Sequence, residues 1–180
     1  MLDLATVGLA FLLIFPAELP DKTFIATLVL STRYRRVAVW LGVAAAFAVQ
    51  TAIAVAAGGL LSLLPQRLVL GVTFVLFVAG AVLMLISGLR ARGTERSIED
   101  AVAEEFEEAA AARAGAGASL LRVAGVSFLV LFTAEWGDLS QILTAGLAAR
   151  TGDPWAVYLG AWLALITVAG IAVLVGGWLQ

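Results

Sequence analysis

The sequence predicts an all-α membrane protein, a polytopic bundle of apolar helices built from two related halves. Three observations carry that prediction. The chain of 180 residues is 62% hydrophobic and 13% charged, whereas an ordinary soluble domain has roughly 45–50% apolar and about 25% charged residues. Its apolar residues gather in long runs, matching the ~20 residues that cross a bilayer as a helix. An acid-containing stretch near the N-terminus also recurs 117 positions later.

Five apolar segments follow one another, at about 4–30, 37–62, 68–89, 121–148 and 155–178. In lipid each can satisfy its backbone polar groups only as a helix. The first begins after Met1-Leu2-Asp3, which lacks the basic stretch of a secretory signal, so it is expected to stay in the mature protein. Arg33-Tyr34-Arg35-Arg36 separates it from the second, and Pro65-Gln66-Arg67 separates the second from the third. Segment 90–120 is polar, with seven of the 13 acids between Glu95 and Glu108. Ile98, Val102, Phe106 and Ala109 recur there at helical spacing, which predicts an acidic amphipathic helix. The Gly-Ala run 115–118 reads as a flexible join. Thr151-Gly152-Asp153-Pro154 divides the last two segments. The expected organisation is a first three-span repeat over 1–89, an acidic linker over 90–120 and a second repeat over 121–180.

Alternate loops carry Arg33, Arg35, Arg36, Arg90, Arg92, Arg96, Arg113 and Arg122 on one side, against Arg67 and Arg150 on the other. The positive-inside rule then puts the N-terminus outside and the acidic linker in the cytoplasm. Cysteine and histidine are both absent, which excludes disulfides, thiolate or imidazole metal sites and cysteine nucleophiles. A bound metal would have to be held by oxygen, which favours hard cations. No basic face is available for nucleic acid, and neither an enzyme activity nor a cofactor is expected.

The repeat is specific. Phe15, Ala17, Glu18, Asp21, Ile25, Thr27, Leu30 and Arg33 meet Phe132, Ala134, Glu135, Asp138, Ile142, Thr144, Leu147 and Arg150. One residue later in register, Val39-Trp40-Leu41-Gly42 meets Val157-Tyr158-Leu159-Gly160, and Gly58-Gly59 meets Gly176-Gly177. Three spans separate the two starting points, so the copies are expected to be inverted in the membrane, as in many secondary transporters. Gln180 corresponds to Ser62; the second copy therefore has two of its three spans, and five are expected in all. The final helix would lack a neighbour, which suits pairing with a second copy of the chain.

Two clusters carry the chemistry, Glu18-Leu19-Pro20-Asp21-Lys22-Thr23 and Glu135-Trp136-Gly137-Asp138-Leu139-Ser140-Gln141. Acids three apart lie on one helix face. A carboxylate at mid-membrane depth costs at least ~2.5–3.5 kcal/mol on insertion scales, so four of them imply a positive partner. Lys22 can balance only one charge, as the structural partner of Glu18 or Asp21. Repeat symmetry would bring Glu18, Asp21, Glu135 and Asp138 together near the midplane. With the Thr23 and Ser140 hydroxyls and the Gln141 amide they form an oxygen-rich cage suited to a hard divalent cation. Pro20 and Gly137 sit between the acids as helix breakers, and such breaks free carbonyls that can face a cation. Gln50 and Thr51, deep in the second span, read as helix–helix hydrogen bonds. Trp136, Trp155, Trp162 and Trp178 read as membrane aromatics.

These clusters resemble the duplicated motif Glu-x-Gly-Asp-(Lys/Arg)-(Ser/Thr) of a family of calcium/manganese–proton exchangers found in the Golgi, in chloroplasts and in bacteria. Pro20 stands where the motif has Gly, and Leu139 where it has a basic residue. The resemblance implies two inverted three-span copies joined by a charged loop. It also implies that Glu18, Asp21, Glu135 and Asp138 bind the cation, with Thr23, Ser140 and Gln141 beside them. The expected activity is export of manganese or calcium in exchange for protons, and the membrane expected for it is the cell (inner) membrane. The rival readings are a small-solute (amino-acid) exporter, a non-transporting membrane subunit and an intramembrane aspartyl protease. The last is disfavoured because position 135 is Glu.

Overall fold

The computed structural model describes residues 2–19, 22–65 and 119–178, with Glu108 and isolated positions between 67 and 82. Among them are six helices and no strand: α1 Leu4–Glu18, α2 Lys22–Arg33, α3 Arg36–Leu61, α4 Leu120–Ala134, α5 Leu139–Thr151 and α6 Pro154–Trp178. Segments 37–62 and 155–178 thus become the single helices α3 and α6, each long and apolar enough to cross a membrane. Segments 4–30 and 121–148 do not form straight helices. Each is a bent pair, α1 with α2 at 73° and α4 with α5 at 77°, and the breaks fall where the sequence places Pro20 and Gly137. Segment 68–89, the acidic linker, Pro20 and Asp21 lie largely or wholly outside the described residues.

Local chemistry sets the helix ends. The Asp3 carboxylate caps α1, accepting the Ala5 N–H at 3.1 Å and the Thr6 hydroxyl at 2.7 Å. Asp153 caps α6 through the Ala156 N–H at 3.1 Å, with Pro154 at the first helical position, where its missing N–H costs nothing. The second Asp153 oxygen accepts the backbone N–H of Asp3 at 3.1 Å, tying the starts of α1 and α6 together. These bonds hold both carboxyls below the ordinary carboxylate range: the Thr6 hydroxyl does most for Asp3, the Asp3 N–H most for Asp153. Gly152, at φ 70°, ends α5 in a left-handed turn leading directly to α6.

Packing runs mainly between the two repeats. α1 lies on α6, and its repeat mate α4 lies on α3; α2 lies on α6, and its mate α5 lies on α3. The contacts of α1 with α5 and of α2 with α4 form another such pair, and α3 crosses α6. Individual residues follow the same exchange. A Cβ at Gly42 would strike the Ala124 carbonyl and Ser127, and one at Gly160 would strike the Val7 carbonyl and Ala10. Gly58 meets Ala145 and Ala148, whereas Gly176 meets Leu28 and Ser31. In every case the mates are 117 or 118 positions apart. Stacked Phe11–Phe15 rings, 5.4 Å between centroids, match Phe128–Phe132 at 5.5 Å.

Small residues permit this closeness, as expected where lipid supplies no hydrophobic drive and helices associate by contact. The core is accordingly rich in alanine, with Ala10, Ala26, Ala38, Ala46, Ala161 and Ala164 fully buried. Two indoles stitch the central crossing: Trp40 Nε1 donates to the Ile166 carbonyl at 3.2 Å, and Trp162 Nε1 to that of Ala44 at 3.0 Å.

Candidate metal centre at two helix breaks

Each break buries a glutamate. Glu18 is the last residue of α1 and Glu135 the C-cap of α4, and each is only 2% exposed. Asp138, partly buried, is the N-cap of α5. One carboxylate oxygen from each of Glu18, Glu135 and Asp138 lies within 4.8 Å of the others, close enough to share a metal ion. Acids of both repeats therefore meet. Two helix C-termini arrive at the same place, and the partial negative charge of a helix C-terminus favours a cation.

The other predicted residues divide by role. Thr23 is buried and donates its hydroxyl to Glu18 Oε2 at 3.3 Å. Ser140 is buried, its N–H directed to Asp138 Oδ2 at 3.5 Å and its carbonyl accepting the Thr144 hydroxyl at 2.7 Å. Lys22 opens α2 on the exposed surface. Asp21 lies outside the described residues.

In the second repeat the helix breaks between the acids, where the sequence places the breaker Gly137. Gly137 takes φ 82°, a left-handed value that suits glycine, and residues 135–138 form a turn rather than helix. The Glu135 carbonyl is not left open: it accepts the Asp138 N–H at 3.2 Å and Gln141 Nε2 at 2.7 Å, which uses both lone pairs. Gln141 Oε1 accepts the Gly137 N–H at 3.2 Å. The Gln141 amide therefore braces the turn. The Phe132 carbonyl, in the last turn of α4, accepts Gln50 Nε2 at 3.0 Å. Gln50, 3% exposed, thus works at the break itself, and its depth in an apolar span was the only signal of it in the sequence.

A family profile described as divalent cation/proton antiporter GDT1 matches residues 6–92 and 123–180. The chain belongs to the GDT1 family. It is 37% identical over 183 residues to a GDT1-like protein, sll0615, of Synechocystis, covering 98% of this chain and 84% of that one. It is 31% identical over 182 residues to the chloroplastic PAM71-homolog of Arabidopsis thaliana, covering 93% of this chain and 50% of the relative. A GDT1-like protein 5 of rice is 30% identical over 176 residues, with 86% of this chain and 75% of that one covered. The chain therefore spans most of the cyanobacterial relative and about half of the chloroplast one. No solved structure matches it. Both GDT1 match regions contain one acidic cluster, so the family assignment and the meeting of carboxylates concern the same residues.

Proposed function

We propose that this chain is a carrier, not an enzyme, that exports manganese or calcium across a cell membrane in exchange for protons. The observation that carries the reading is the convergence of Glu18, Glu135 and Asp138 within 4.8 Å, two of them buried. Carboxylates this close in a water-poor setting need positive charge between them, and a divalent cation or protons can supply it in turn. That alternation is the chemistry of exchange. Asp21, as the repeat mate of Asp138, completes the acid set in this reading, and Thr23 and Ser140 support it. Manganese and calcium both accept carboxylate oxygen.

The repeats are taken to be inverted, with the N-terminus outside and the acidic linker in the cytoplasm. The exchange of contacts between mated helices supports a twofold relation, and the arginine distribution supports the orientation. Alternating access then follows from a change in how mated helix pairs meet at the breaks, the cation binding from one side and protonation favouring release. The test is flux in proteoliposomes under a pH gradient, with manganese, calcium and an amino acid compared. Cation uptake driven by the gradient is expected; movement of the amino acid and of neither cation would overturn the assignment.

A further inference from the structure

The two breaks are mates in sequence, and among the described residues the hydrogen bonds at each differ. Thr23 donates to the Glu18 carboxylate in the first repeat. In the second, two glutamines grip the backbone around Glu135: Gln141 from α5, and Gln50 from α3, a helix of the other repeat. Gln50 has no counterpart at its mated position, which is Val168, an apolar residue that cannot donate. The Phe132 carbonyl is three residues before Glu135 and belongs to the turn that ends α4. A helix ending inside a protein leaves carbonyls that need donors, and here a buried side-chain amide from the opposite half provides one.

We propose that Gln50 is a positioning residue for the Glu135 carboxylate. Its amide fixes the last turn of α4, and that turn sets where Glu135 stands relative to Glu18 and Asp138. The bond also masks the partial negative charge of one carbonyl beside the acids, so it tunes the field in which cation and proton compete. This inference deepens the exchanger reading and rests on it for the metal. Outer partners that orient a metal's ligands typically contribute roughly 10–100-fold in affinity, and Gln50 is expected to act in that range.

The experiment compares the full chain with Q50L, which keeps bulk and loses the donor, and with W162F. The second removes a hydrogen bond of the same 3.0 Å length between the same halves but far from the break in sequence. Manganese and calcium affinities are measured by titration in one detergent, and hydrogen exchange is followed at the Gly137 and Asp138 amides. Q50L should weaken binding by roughly 10–100-fold and speed exchange of those two amides; W162F should do neither, whatever it does to thermal stability. Equal affinities and exchange in Q50L and the parent, or equal losses in Q50L and W162F, would overturn the proposal.

Q50E supplies an independent arm should Q50L fold poorly. A glutamate there donates only as the neutral acid, so amide protection in the turn, relative to the parent, should fall as pH rises. A ratio that does not change with pH would count against the assignment. If the parent binds neither metal, the exchanger reading fails on its own, while the exchange data still decide whether Gln50 holds the turn.

Discussion

Gly58 and Gly59 are adjacent in α3, yet alanine should have opposite effects at the two positions. Alanine is favoured over glycine in a helix interior by about 0.8–1.0 kcal/mol, and that gain applies equally at both. A Cβ at Gly59 meets nothing within 4 Å, so Gly59→Ala should stabilise by about that amount. At Gly58 the new carbon falls on the Ala145 carbonyl and 2.8 Å from the Ala148 Cβ, well inside the ~3.5–4.0 Å of an ordinary carbon contact. Both obstacles are on α5, one of them backbone, so relief requires α3 and α5 to part. Overpacking of this kind costs roughly 1–3 kcal/mol. Because propensity cancels between neighbours, that cost is also the expected gap between the two variants. Reversible unfolding in one mixed-micelle system would read it directly. Gly176→Ala, which drives a Cβ into the Leu28 carbonyl and Ser31 of α2, should fall with Gly58→Ala. A Gly58→Ala protein as stable as Gly59→Ala would refute both the close approach and the exchanged packing.

The acids and caps give three further expectations. Glu18→Gln and Glu135→Gln should each abolish manganese and calcium binding, whereas Glu104→Gln in the acidic linker should not; titration decides, and unchanged affinity in both motif variants would remove the site. Thr23→Val deletes the donor 3.3 Å from Glu18 and should weaken binding roughly tenfold, with recovery in Thr23→Ser. For Asp3 and Asp153 the folded carboxyl values lie below the ordinary 3.8. Their contribution is therefore complete above that value and lost as pH falls through the lower folded values. Melting temperature should drop over that acidic window in the parent, and Asp3→Asn with Asp153→Asn should flatten the drop; an unchanged slope would show that the caps do not couple to folding.

Much of this was legible in the sequence because its signals were strong and local. Glu and Asp at identical spacing in two apolar runs, with a breaker between them, marked both helix breaks and the acids they bring together. The registers of 117 and 118 predicted α4 to α6 as copies of α1 to α3. Other features depend on partners far apart in the chain. The role of Gln141 was not readable because an amide can ligate a cation or brace a turn, and only the positions of Glu135 O and Gly137 N decide. Gln50 reads as a helix–helix hydrogen bond and makes one, but that its acceptor is the Phe132 carbonyl at the break depends on how α3 meets α4. The bends within 4–30 and 121–148 fall at the expected breakers, but their angles of 73° and 77° were not readable, because composition shows where a helix yields and not by what angle.

The exchanged contacts have a consequence for biosynthesis. A chain enters the bilayer from its N-terminus, so α1 to α3 arrive before the surfaces they fit. Gly42 faces α4 and Gly58 faces α5, while α1 rests on α6; none of these neighbours exists when the first half leaves the ribosome. Until they do, the packed surroundings that bury Glu18 are not assembled, and an acid facing lipid is costly. The first half therefore acquires these contacts only after α4 to α6 have been made. It takes its final form only when α6 is delivered. Maturation is posttranslational in effect: a helix made late is one that fixes the first.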